Sequence, residues 1–114
     1  MTTVTFRMEQ GRVTGFTADG HSGYADAGED IVCAAVTSAI RLTEAALNDV
    51  MGLAAPVKIR EQEAYLSLRL PGALSPELDE TCQILLTALM VYLSNLRDEY
   101  PEHLEVLEQD FDKI

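Results

Sequence analysis

TVTFRMEQGRVTGFTA, residues 3–18, is the stretch on which the fold turns. Val4, Phe6 and Met8 alternate with Thr3, Thr5 and Arg7, the period of a strand with one buried face. A turn through Gln10 and Gly11 leads into a second strand over Val13 to Ala18. There Val13 and Phe16 fall out of phase, and Gly15 between them permits a bulge. A chain that opens on such a hairpin needs further strands and a covering layer to bury its apolar face.

Working outward, DGHSGYADAGE (19–29) is rich in Gly and acids and has no apolar period, so it reads as an exposed loop. Asp30 then stands as an N-cap before IVCAAVTSAIRLTEAALNDVM, whose helical spacing of apolar residues runs from Ile31 to Met51 and stops at Gly52. Val57 and Ile59 alternate with Lys58 and Arg60. After a turn near Glu61 to Glu63, Leu66, Leu68 and Leu70 alternate with Tyr65, Ser67 and Arg69, which makes a second hairpin ended by Pro71 and Gly72. Ser75 and Pro76 form an N-cap followed by a proline at the first helical position, and Glu77, Asp79 and Glu80 suit the positive end of the dipole. That helix is expected from about Pro76 to Tyr100. The tail after Pro101, with Glu102, Glu105, Glu108, Asp110 and Asp112, reads as a short helix with a solvated acidic surface.

The order β-β-α-β-β-α predicts an α+β two-layer sandwich, an antiparallel or mixed sheet covered by helices on one face. At 114 residues, with neither repeats nor a linker, the chain is expected to be a single domain over residues 1–114. CQILLTALMVYL (82–93) is apolar around nearly its whole circumference, whereas a helix covering a sheet needs only one stripe. The surplus points to a second copy of the chain, a homodimer.

Eight basic against 19 acidic residues give a net charge of −11. Such a chain has no basic stripe for a phosphate backbone, so nucleic acid is not an expected partner; a basic protein suits the field, although acidity also confers plain solubility. No stretch reads as a signal peptide or as a run of about 20 apolar residues, so the expectation is a cytoplasmic protein without a membrane partner. The two cysteines, Cys33 and Cys82, lie in settings too different to suggest a disulfide and are expected as reduced thiols.

The residues with chemical potential lie in GHSGYADAGEDIVCAAVTS, 20–38. His21 closes the second strand and Cys33 falls in what reads as the first turn of the helix. A thiol there sits near unpaired backbone N–H groups and the positive end of the dipole, and a neighbouring imidazole can take its proton. The same terminus offers N–H groups for an oxyanion. Asp30, Asp26 and Glu29 are candidates to orient the imidazolium, with Asp30 preferred because the helix start places it. These carboxylates stabilise a positive His21 and oppose a negative Cys33. The residues alone leave other readings open: a chance Cys and His pair, a thiol redox sensor, or a metal site of His21, Cys33 and loop acids, which lacks the usual paired ligand spacing. Cys82, inside an apolar helix face, reads as core, and His103, among acids, as surface.

Gly20-His21, a loop of about ten residues containing Gly28, and then Asp30-Ile31-Val32-Cys33-Ala34 resemble the signature of the ribosomal-processing cysteine protease family. The order of elements resembles that family over nearly the whole chain. The resemblance implies a homodimeric protease, without a cofactor, that removes an N-terminal extension from a basic large-subunit ribosomal protein of the bL27 type. It implies Cys33 as nucleophile, His21 as base and Asp30 as the motif acid. Many relatives carry Ser four residues after the Cys, where this chain has Thr37 followed by Ser38. The alternative from another class is a non-enzymatic ribosome-assembly or interaction module.

Overall fold

A computed structural model of the chain describes residues 1–20 and 27–111, with 27–30 described by their backbone alone. The elements are β1 (Thr2–Glu9), β2 (Arg12–Asp19), α1 (Ala27–Glu44, continued by a π-helical turn over Ala45–Val50), β3 (Val57–Arg60), β4 (Tyr65–Arg69), α2 (Pro76–Glu99) and β5 (Leu104–Asp110). The sheet order is β3-β4-β2-β1-β5, with β1 antiparallel to β2 and parallel to β5. This is the expected α+β two-layer arrangement with a mixed sheet.

The opening hairpin forms for local reasons. Gln10 and Gly11 both have positive φ, 54° and 73°, and Glu9 pairs with Arg12, so a two-residue turn of the hand that matches strand twist joins β1 to β2. Arg7 faces Gly15 while Met8 faces Val13, which leaves Thr14 as the extra residue of a bulge. Gly15 is required there because a Cβ would come within 2.5 Å of the Leu68 carbonyl oxygen on β4.

Alternation then builds the core. Val4 and Phe6 of β1, Phe16 and Ala18 of β2, Leu68 of β4 and Leu104 of β5 are buried together with two helical stripes. One stripe is Val32, Val36, Ile40 and Leu47; the other is Cys82, Leu86, Leu89, Leu93 and Leu96. Both helices therefore cover one face of the sheet. The opposite face carries the residues of the other parity, Thr3, Thr5, Arg7, Thr17 and Ser67, none of them fully buried.

α2 is fastened at its start. The Ser75 Oγ accepts the Leu78 N–H at 3.3 Å, with Pro76 in the first turn. Beyond the end of β4, the Gln83 amide accepts the Val13 N–H and donates to the Val13 carbonyl, both at 2.8 Å, so the side chain completes the hydrogen bonding of β2. Arg12 Nε donates to Asp79 Oδ2 at 2.8 Å beside them.

Three expectations need correction. The acidic tail is a strand, β5, paired in parallel with β1 from Thr2↔Leu104 to Met8↔Asp110, because Leu104 and Val106 alternate into the core while Glu105 points away. α1 starts at Ala27, so Asp30 lies inside the helix and is not its N-cap, and Ala27 to Glu29 belong to helix where a loop was expected. Finally, Ile31–Val50 is long and apolar enough, by length and composition, to cross a membrane. Val32, Val36, Ile40 and Leu47 are committed to the sheet core, Ala35 and Ala39 pack partly buried against it, and Ile31, Leu42 and Val50 are exposed.

Candidate active site

Cys33 is the seventh residue of α1, in its second turn, next to the Val32, Val36 and Ile40 stripe. That offset leaves its side chain at the edge of the core, half-buried, and not inside it. The sulfur lines a cavity of about 340 Å³. Asp19 and Gly20 at the end of β2 line the same cavity, with Thr37 one helical turn beyond Cys33 and Ile59, Glu61 and Leu66 from the β3-β4 hairpin. The walls are mainly apolar, and the Asp19 and Glu61 carboxylates are among the lining groups.

The Thr2 hydroxyl oxygen lies 3.5 Å from the Cys33 sulfur. Sequence reading passed over Thr2, yet its parity with Val4 and Phe6 was the signal that its side chain turns towards the helices. Gly20 holds φ at +85°, a left-handed conformation natural to glycine, and turns the chain off the end of β2 at the cavity. His21 follows it in sequence. His21 itself and the loop to Asp26 lie outside the described residues, as do the side chains of Glu29 and Asp30.

Thr37 and Ser38 separate cleanly. Thr37 lines the Cys33 cavity, whereas Ser38 lines a groove between α1 and α2. The helix start also changes the electrostatic reading. In an α-helix starting at Ala27 the unpaired N–H groups belong to its first four residues, and the Cys33 N–H is within the i→i−4 ladder. The terminus N–H groups expected to serve an oxyanion near Cys33 therefore belong to residues 27–30, in the turn before it.

Cys82 offers the contrast. It is fully buried in the α2 stripe, and burial pushes its thiol up, with the nearby Asp79 carboxylate acting in the same direction and Arg12 opposing it. A thiol kept neutral and without solvent access is a core residue, as expected from sequence. Among the described residues no cluster of His, Cys, Asp and Glu could hold a metal ion.

The described site is thus a half-exposed thiol on a helix, at the mouth of an apolar cavity, on a five-stranded α+β sandwich. The family model of cysteine protease Prp matches residues 1–105, and the chain belongs to that family. The ribosomal processing cysteine protease Prp of Bacillus subtilis is 29% identical over 94 residues, 82% of this chain and 84% of that protein. A solved structure from Streptococcus mutans superposes with a TM-score of 0.84 at 26% identity, covering 96% of this chain and 95% of the other. The fold is shared as well with a ribosomal processing protease Prp from S. aureus, solved in complex with a substrate peptide (TM-score 0.82, 22% identity, 96% of this chain and 100% of the other). Family membership makes the chain a cysteine peptidase and sets aside the non-enzymatic module.

Proposed function

We propose that Cys33 and His21 form the catalytic pair of this protease and that it removes an N-terminal extension from a basic large-subunit ribosomal protein of the bL27 type, in the cytoplasm. The observation that carries this is the shared cavity: Cys33 and Gly20, which immediately precedes His21, line the same hollow.

The chemistry follows from the two groups. His21 takes the Cys33 proton, and the thiolate attacks the scissile carbonyl carbon. The tetrahedral intermediate collapses as imidazolium gives the proton to the departing amine, which breaks the C–N bond and leaves a thioester. His21 then removes a proton from water, hydroxide adds to the thioester, and collapse expels the Cys33 thiolate and a carboxylic acid. The balance is one water consumed and one peptide bond broken, with no cofactor or metal in any step. Asp30 remains the candidate to stabilise the imidazolium, now from within the first turn of α1.

Charge supports a basic substrate. The Asp19 and Glu61 carboxylates at the cavity belong to a chain of net charge −11, so a Lys- and Arg-rich protein is drawn towards this edge, more weakly as salt rises. The same field disfavours nucleic acid. The homodimer is supported by the outer surface of the helix layer: Ile84, Val91 and Tyr92 of α2 are 63, 52 and 47% exposed in the single chain, and Ala35, Ala39, Leu42, Leu85 and Ala88 flank the adjoining groove. A second copy of the chain would cover this apolar face with the same face of its own. No membrane role is needed to cover it.

The test is incubation with a large-subunit ribosomal protein carrying its N-terminal extension, followed by mass spectrometry. A single trimmed product, absent with Cys33→Ala, is expected. An unchanged substrate with wild-type enzyme would overturn the substrate assignment.

A further inference from the structure

Met1 and the first residue of β1, Thr2, touch the site at two places. Thr2 shares parity with Val4 and Phe6, so its side chain faces the helix layer; only 7% of the residue is exposed. The hydroxyl meets the Cys33 sulfur at 3.5 Å. Its backbone is held separately, since the Thr2 N–H donates to the His103 carbonyl at 3.0 Å and Thr2 pairs with Leu104 of β5. One residue earlier, the Met1 carbonyl oxygen lies against Gly20, where a Cβ would come within 2.4 Å of it. Met1 and Thr2 thus bear on the backbone that leads to His21 and on the sulfur of Cys33.

We propose that Thr2 is a positioning residue for Cys33, its hydroxyl holding the sulfur in the orientation that faces the cavity. The proposal rests on the reading of Cys33 as nucleophile. A hydroxyl in a row otherwise occupied by Val4 and Phe6 is unfavourable unless bonded, and valine would fill the same shape. Among the described residues the hydroxyl finds the Cys33 sulfur at hydrogen-bonding distance. Cys33 has three staggered χ1 wells, and a contact from a strand pinned on β5 favours one of them. With the thiol protonated, either atom can donate; once the sulfur is a thiolate the hydroxyl must be the donor, and a hydrogen bond to a charged acceptor is the stronger kind. The Met1 carbonyl supports the other arm of the site, because its contact fixes where the chain leaves β2.

The test compares the full chain as wild type, Thr2→Val and Thr2→Ser. Two quantities are read: the rate at which iodoacetamide modifies Cys33, with buried Cys82 as internal reference, and kcat and KM for trimming of the extended ribosomal protein. Losing one hydrogen bond to a charged sulfur should lower both the alkylation rate and kcat about tenfold in Thr2→Val. KM should change by less than about twofold, since the interaction is with the enzyme's own nucleophile. Thr2→Ser should recover most of the loss, and Cys82 should stay slow throughout. Wild-type alkylation and turnover in Thr2→Val overturn the proposal. So does equal impairment of Thr2→Ser and Thr2→Val, which assigns the effect to packing of the methyl group. A different pattern marks failure of the underlying reading: wild-type Cys33 reacting no faster than a free thiol, together with cleavage by Cys33→Ala, removes Cys33 as nucleophile.

Discussion

Cys33 and Cys82 each occupy the seventh position of a helix in the same layer of the molecule, and they meet opposite environments. Cys82 falls on the stripe of α2 that faces the sheet, in a helix start fastened by Ser75, by the Gln83 clamp on Val13 and by Arg12 on Asp79. Cys33 falls one position past the inward stripe of α1, at a cavity, with the Thr2 hydroxyl of β1 against its sulfur. A rotation of about 100° around the helix axis separates an inert thiol from a reachable one. Helix position and dipole are common to both; access and neighbours distinguish them.

The strongest way to break this comparison is to remove each thiol in turn. Cys33→Ala and Cys33→Ser should lose about a thousandfold or more in trimming while melting like wild type, and His21→Ala should follow them. Cys82→Ala should keep full turnover and lose about 1 kcal/mol of stability through the cavity it leaves. Mass-spectrometric assay beside thermal denaturation reads both. Turnover by Cys33→Ala at the wild-type level would end the distinction.

Next in size is the outer face of the layer that holds both cysteines. A charge at Ile84 or Val91, as in Ile84→Asp, should dissociate the proposed dimer at micromolar concentration, since an unpaired buried charge costs about 3–5 kcal/mol. Sedimentation velocity measures it. A wild type that sediments as a monomer contradicts the assignment of that face.

A third measurement sharpens the core side. Leu86→Ala, one turn beyond Cys82 and fully buried, should cost about 2–5 kcal/mol in denaturant unfolding and speed the alkylation of Cys82 through opening of the core. The Cys33 rate should hardly move. Parallel acceleration of both would mean that the two sites open as one unit.

The smallest effect concerns the fastening of α2. Arg12, through its hydrogen bonds, holds the Asp79 carboxyl below its usual range, with burial opposing. A depressed carboxylate stabilises the fold above its unfolded pKa, and that contribution is lost as pH falls through the lower folded value. Both partners are partly exposed, so Arg12→Ala should cost no more than about 1 kcal/mol at neutral pH. The difference in Tm between Arg12→Ala and wild type should shrink below about pH 4, where the unfolded carboxyl is protonated. A difference that grew on acidification would show that Arg12 acts through something other than Asp79.

The site was half legible from the chain alone. The Gly-His and Asp-x-x-Cys text marked Cys33 and the strand end at Gly20, and the structure brings that end and the cysteine to one cavity. Asp30 was misplaced because Gly28 and the acids before it argue for a loop, and local propensity is overridden once a helix has a core to pack on. Glu61 and Ile59 were invisible as site residues, since nothing in a hairpin's sequence tells which helix end it will approach.

What the sequence by itself determined is what short-range chemistry enforces. The Gln10-Gly11 turn, the alternation in β1, β3 and β4, the Ser75-Pro76 start of α2 and the buried fate of Cys82 all depend on neighbours within a few residues. Only the tertiary structure decided that the acidic tail is β5, because its partner β1 lies about a hundred residues away and parallel pairing requires α2 to cross between them. The same crossing brings the His103 carbonyl to the Thr2 N–H and so steadies the strand end that bears on Cys33. Pairing at that separation leaves no local periodicity of its own: three-residue spacing of acids reads as helix until β1 supplies the hydrogen bonds that make it a strand.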